Sequence, residues 1–250
     1  MYQPRLYRGD MNQDRFRFFR AVHHESDLLI GVSPGSYQAG MQKTAMEELN
    51  RLHLLLNTYG RKDPRFFSSL DPLPLPEEPD TPEEILTMHR CGIESGTGPM
   101  ASVAGLFAEV VGRRLGEQYP CEELVVENGG DLFLRCSSDL ISVIHAGQSP
   151  LSDKMAFVVT PGEWGICTSS GTLGHSYSKG NAEALTIISS SAPMADTWAT
   201  AMANRVQGPE DIEPLLEQAE TISAIDGCAV IVGDRIGVRG IFEVKLLSSE

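Results

Sequence analysis

The chain is short of positive charge. Its 250 residues hold 20 Lys and Arg against 34 Asp and Glu, a formal net charge of −14. With no basic stripe to offset it, that deficit argues against nucleic-acid binding and attachment to an anionic membrane. Long apolar runs are missing too. Nothing approaches the run of about eighteen apolar residues that a membrane span needs, and the opening MYQPRLYRGDMNQDRFRFFR has no apolar stretch of the secretory kind. Cysteines are few and scattered: Cys91, Cys121, Cys136, Cys167 and Cys228 are odd in number and form no C-x-x-C pair. That pattern speaks against a disulfide framework or a zinc finger and leads us to expect a reduced, cytoplasmic setting. What remains is ordinary: 41% hydrophobic residues, in a chain long enough for one large domain or two closely packed ones.

Along the chain, Phe16 to Arg20 and Asp27 to Val32 read as strands. His23-His24-Glu25 falls at the turn between them. Adjacent histidines can bind metal, yet they point in different directions on a strand, and a solvated turn is the simpler reading. Met41, Ala45, Leu49, Leu52, Leu56 and Tyr59 keep the spacing of one buried helical face, which predicts a helix over Ser36 to Tyr59 with His53 on its flank. Asp71 to Pro82 carries five prolines and four acids. It cannot be a helix interior or a central strand, so any junction within a single domain of residues 1–250 is expected there. A short helix from Pro82 to Arg90 follows.

The run Gly92 to Ser102 then leads into a helix ending at Leu115. Gly98 and Ser102 leave that helix start free of bulk, either to receive a phosphate on the exposed amides or to let helices pack closely. Strands at Cys121–Val126 and Leu132–Cys136 bracket Glu127-Asn128-Gly129-Gly130-Asp131. The glycine pair predicts a turn with positive φ. Asn128 and Asp131 either close that turn, or the missing side chains admit a ligand ring or pyrophosphate to the backbone. Further strands are expected at Ile141–His145, Met155–Thr160, Ala184–Ser189, Gly227–Val232 and Ile241–Leu247, with a helix over Asp211–Ala219. Irregular alternation with hairpins makes the fold class α+β.

The most informative stretch is Gly165 to Arg205. Cys167-Thr168-Ser169-Ser170-Gly171 is expected as a hydroxyl-rich loop behind a short apolar strand, able to turn N–H and O–H groups toward an anion. Ser191 then suits a helix N-cap and Pro193 the first turn. Asp196 and Thr200, four residues apart, share a helical face and form a hard oxygen pair suited to Mg²⁺. The plainer alternative is an acid complementing the helix dipole and a threonine bonded to a carbonyl one turn back. Cys167 is a candidate nucleophile or a small core residue. His175 is a candidate acid or base near neutral pH, or simply solvated.

Three motifs, Asn128-Gly129-Gly130-Asp131, Thr168-Ser169-Ser170-Gly171 and Ala195-Asp196-Thr197-Trp198-Ala199-Thr200-Ala201, occur in an order and at separations that resemble the ApbE-like superfamily. Its best-known members are FAD:protein FMN transferases, and the chain is most similar to a short cytoplasmic branch of archaea and anaerobic bacteria. The resemblance implies a duplicated T-fold with a flavin nucleotide in a cleft between the halves. It implies Mg²⁺ on Asp196 and Thr200, the flavin near Asn128, Gly129 and Gly130, and phosphates near Thr168, Ser169, Ser170 and Gly171. His175 stands where the family has a histidine followed by an acid and a proline, although the surrounding Gly174-His175-Ser176-Tyr177-Ser178-Lys179-Gly180 differs from that pattern. Transfer chemistry would move FMN from FAD to a protein threonine. The same branch implies an alternative, an accessory or sulfur-transfer partner in making homocysteine from sulfide. A structural homologue with a vacated site is the third reading, and a monomer or a homodimer fits any of them.

Overall fold

The computed structural model describes residues 14–171 and 180–247. Its first half opens with β1 (Arg17–His23) and β2 (Ser26–Val32). Helices α1 (Gly40–Lys62), α2 (Arg65–Ser68), α3 (Glu83–Ser95) and α4 (Val103–Gln118) follow, and β3 (Leu124–Asn128) and β4 (Asp131–Cys136) close it. After β5 (Leu140–Val143) and β6 (Met155–Val159), the second half repeats the plan. It runs β7 (Gly162–Ser169), β8 (Ala184–Ser189), α5 (Ala192–Ala203), α6 (Ile212–Glu220), β9 (Gly227–Val232) and β10 (Arg235–Gly240), and β11 (Glu243–Leu246) ends the described chain. Eight strands form one antiparallel sheet in the order β1-β2-β3-β4-β7-β8-β9-β10, and β11-β6-β5 form a second. Two strands, a helical layer and two strands thus occur twice, side by side in one sheet. The fold is α+β.

Alternation along each strand sorts its residues between two cores. On one face of the large sheet, Ile30, Leu124 and Phe133 pack under α1 and α4, and Leu185, Ile187 and Val230 pack under α5 and α6. On the other face, Leu134, Ile166, Ile188 and Ile231 meet Phe157 and Val159 of the small sheet. Both faces of the central strands are covered, which is why β3, β8 and β9 are buried at every position.

Two elements depart from the sequence expectation. Thr168 and Ser169 belong to β7 and not to a loop: the ladder with β8 continues through Thr168↔Thr186 and Ser169↔Leu185, and the two threonine hydroxyls bond at 2.8 Å. β10 went unrecognised because its Arg-Ile-Gly-Val-Arg-Gly sequence lacks a strand's apolar run. Gly237 is there for close packing, since a Cβ on it would lie 2.4 Å from Ile212 Cγ2 of α6. Boundaries also shift. Helix α1 starts at Gly40 after a separate 3-10 turn over Pro34–Ser36, and another such turn, Pro99–Ser102, precedes α4.

The start of β1 is tied to the start of β3 by charge. Arg15 grips Glu123 with two bonds, Nε to Oε2 at 3.0 Å and Nη2 to Oε1 at 2.6 Å, and Ser137 Oγ donates to the same carboxylate at 3.0 Å. Arg15 first, then Ser137, holds the Glu123 carboxyl down at about 2, below its usual 4.5. A depressed carboxylate contributes stability that is complete above the unfolded value and is lost as pH falls through the folded one. Glu123→Gln is therefore expected to cost about 1–3 kcal/mol at neutral pH. Urea unfolding across pH should show the gap to the wild type narrowing below about 4.5 and closing near 2; a gap that stays constant down to pH 2 would refute the assignment.

Candidate functional site at the seam between the halves

The halves join where β4 pairs with β7, and α4 and α5 meet over that seam. Two glycines make the meeting possible. A Cβ on Gly105 of α4 would stand 2.3 Å from the Ala192 carbonyl oxygen, and one on Gly165 of β7 would stand 2.2 Å from Ala192 Cα. The first turn of α5 therefore lies directly on the strand and on α4. Ser191 occupies the N-cap but its side chain makes no capping bond. Glu109 of α4 serves instead, accepting from the Ala192 N–H at 2.7 Å. Arg113 joins Glu109 to Glu163 at 2.9 Å on each side, and Arg135 pairs with Glu163 at 2.6 Å. This ion chain fixes α5 against the first half.

Asp196 projects from α5 into the junction. Its Oδ2 accepts from the Gly105 N–H at 2.9 Å, so the amide end of α4 faces the carboxylate. Burial, then the nearby charge of Asp131, raises the Asp196 carboxyl well above its ordinary value, while the Gly105 and Ala104 amides pull the other way. Cys167 is fully buried, with Sγ 3.4 Å from the Ala192 carbonyl oxygen. Burial first, then Asp131 and Asp196, pushes its thiol up, which disfavours the thiolate a nucleophile needs. Asn128 Nδ2 donates to the Ala104 carbonyl at 3.2 Å and so steadies the same helix start.

Gly129 and Gly130 turn with φ of +74° and +106°, as the sequence predicted, and the Gly130 N–H bonds Glu127 Oε1 at 2.9 Å. Among the described residues, nothing lies within 4 Å of where a Gly130 Cβ would be. The backbone there is open to a ligand.

The other predicted positions are distributed around this centre. Thr200 lies one turn beyond Asp196, partly exposed. Ser169 shares the helix-side face of β7 with Cys167, whereas Thr168 turns toward the small sheet with Ile166. Among the described residues, the buried Ser169 hydroxyl has no hydrogen-bond partner, and neither has the Trp198 indole N–H. Ser170 and Gly171 follow the strand, and the Gly171 N–H bonds the Ala182 carbonyl at 2.9 Å. Gly98 packs against Ser69, whose carbonyl oxygen would be 1.8 Å from a Cβ, and the Ser102 hydroxyl donates to the Pro99 carbonyl at 2.8 Å. His175 lies outside the described residues. Thr197, unremarked from sequence, joins Ser95 and Thr97 at 2.8 and 2.7 Å in a buried hydroxyl triad that pins α3 to α5.

The structure thus gathers Asp196, Cys167 and Asn128, and adds Asp131, which the sequence presented only as a turn residue. Its role depends on β4 pairing with β7, a contact that no local pattern announces. Among the described residues, no helix is long and apolar enough to cross a membrane.

A plan of two strands, a helical layer and two strands, doubled within one sheet, is an ApbE-type fold. The apo form of the Pseudomonas stutzeri flavinyl transferase ApbE matches it with a TM-score of 0.60 at 16% identity, over 92% of this chain and 96% of that one. The Thermotoga maritima ApbE protein gives 0.56 at 12% identity, over 89% and 96%. The chain belongs to the family described as AbpE bacteria, whose model matches residues 9–227. Among its relatives, the UPF0280 protein of Methanocaldococcus jannaschii is 36% identical over 228 residues, 88% of this chain and 89% of the relative. That of Methanococcus maripaludis is 38% identical over 223 residues, 86% and 87% respectively.

Proposed function

We propose that the chain binds FAD or a related flavin nucleotide with Mg²⁺ at the seam, and processes it by Mg²⁺-dependent cleavage or FMN transfer. The observation that carries this reading is Asp196, a buried carboxyl aimed at the amide end of α4 beside a second acid, Asp131. The donor chemistry fits the ion. Two carboxylates and the Thr200 hydroxyl are all hard oxygens, and Mg²⁺ commonly takes one or two protein oxygens and completes its shell with water and phosphate. A divalent cation would also offset the like-charge repulsion that burial sharpens. Bound there, it would supply neutralisation of the charge developing on the pyrophosphate.

The chain's own residues would do the rest. Asp196 and Thr200 would hold the ion. The open backbone at Gly130, beside the exposed Gly129, would admit the flavin ring or the pyrophosphate, and the Ser169 hydroxyl, without a partner among the described residues, would gain a phosphate oxygen. The named flavin transferase with the same fold supports this choice of ligand. A sulfur-transfer role resting on Cys167 is disfavoured by the burial and raised thiol of that residue.

Isothermal titration with FAD, with and without Mg²⁺, tests the proposal. One FAD per chain, bound only when Mg²⁺ is present, is the expected result. Absence of binding to FAD, FMN and ATP under both conditions would overturn it.

A further inference from the structure

Three histidines meet at the β1–β2 hairpin turn. β1 ends at His23, which pairs with Ser26 across the two-residue turn His24–Glu25. His24 takes a φ of +50°, the left-handed region that tight hairpins usually give to glycine or asparagine. Helix α1 lies across β1 and brings His53 onto this turn. Ring centres are 4.3 Å apart for His23–His24, 5.1 Å for His23–His53 and 5.3 Å for His24–His53. His53 rests edge-on against Phe107 at 5.2 Å, and its Nε2 lies 3.0 Å from Ser26 Oγ. His24 is exposed and the other two rings are partly so, which leaves the cluster open to small solutes.

Three imidazoles on one tetrahedral ion, with metal–nitrogen bonds of about 2.0–2.1 Å, hold their ring centres about 5 Å apart. The triangle here has that size. We propose that His23, His24 and His53 bind one borderline divalent cation, Zn²⁺ or Co²⁺, with water completing the shell. Imidazole favours such ions over Mg²⁺, so the site is chemically separate from the hard oxygens at the seam.

Among the described residues no three His, Cys, Asp or Glu side chains already converge on a point as a metal requires. Binding therefore turns the rings about their Cβ–Cγ bonds, which are broad torsions. His53 exchanges its hydrogen bond to Ser26 for the ion. The packing against Phe107 preorganises one ligand, and the left-handed backbone at His24 holds a second ring 5.3 Å from it, which gives a reason for a histidine where a glycine would be less strained.

Titration of the full chain with Co²⁺ near neutral pH tests the inference, followed by visible absorption. The expected result is one Co²⁺ per chain, with the bands of a tetrahedral nitrogen and oxygen set, no thiolate charge-transfer band, and displacement by Zn²⁺. His53→Asn and His24→Gly should each weaken binding by about tenfold or more. His24→Gly should leave the melting temperature unchanged or raised, because glycine suits the turn, so weaker binding cannot be put down to misfolding. Asp196→Asn should leave Co²⁺ binding intact, which separates this inference from the nucleotide reading. Co²⁺ affinity in His53→Asn equal to wild type would overturn it, as would a thiolate band or no binding up to millimolar Co²⁺.

Discussion

Asp196→Asn is expected to weaken Mg²⁺-dependent FAD binding by on the order of a hundredfold or more, while the fold survives. Loss of groups that merely support a metal ligand commonly costs about 10–100-fold, and removing a charged ligand should cost at least as much. The fold should survive because Asn keeps an oxygen to accept from the Gly105 N–H, now 2.9 Å from Asp196 Oδ2. Stability carries an independent signature. The folded state raises the Asp196 carboxyl above its unfolded value of 3.8, so the folded protein holds that proton more tightly and its ionisation opposes folding as pH rises. Without divalent cation at alkaline pH, the Asn variant should melt at or above the wild type, and the difference should shrink toward acid. Added Mg²⁺ should raise the melting temperature of the wild type but not of the variant. A variant that keeps Mg²⁺-dependent FAD binding would remove Asp196 from the metal site.

Gly165→Ala should have a large effect on stability. The new methyl would stand 2.2 Å from Ala192 Cα and 2.5 Å from its backbone nitrogen. Neither side can yield easily. β7 is paired on both sides, with β4 and with β8, and the first turn of α5 is held by the bond from Ala192 N–H to Glu109. Overpacking of this kind, against backbone and not against a flexible side chain, should cost about 3 kcal/mol or more. Gly130→Ala makes the comparison informative. No atom of the described residues lies within 4 Å of its new methyl, yet its φ of +106° is one that alanine rarely adopts. That variant should lose only about 1–3 kcal/mol. Urea midpoints order the two, and a Gly165→Ala protein as stable as Gly130→Ala would show that α5 can lift from the strand. If it does lift, Asp196 moves away from Gly105, and FAD binding falls along with stability.

Where neighbours two to four residues apart decide the outcome, the sequence was legible. The face formed by Met41, Ala45, Leu49, Leu52 and Leu56 became the buried side of α1. The Asn128–Asp131 turn took the positive φ its glycines suggested, and Asp196 and Thr200 fell on one helix where their four-residue spacing put them. These features answer to the period of a helix or the steric freedom of glycine, both of which operate locally. Thr168 and Ser169 misled for the opposite reason. Hydroxyl residues before a glycine look like a loop, but pairing with Thr186 and Leu185 keeps them in a strand.

Tertiary structure alone decided which side chains meet. Gly105 and Asp196 are joined across 91 positions, and Ser95 and Thr197 across 102. Asp131 approaches Cys167 only because β4 and β7 form the seam, and His53 reaches the His23–His24 turn only because α1 lies across β1. Residue types and short-range spacing specify elements, and they indicate what chemistry a side chain can offer. Which of those side chains share a dielectric environment, and so whether a carboxyl is raised, a thiol silenced or three rings gathered, depends on how distant segments pack.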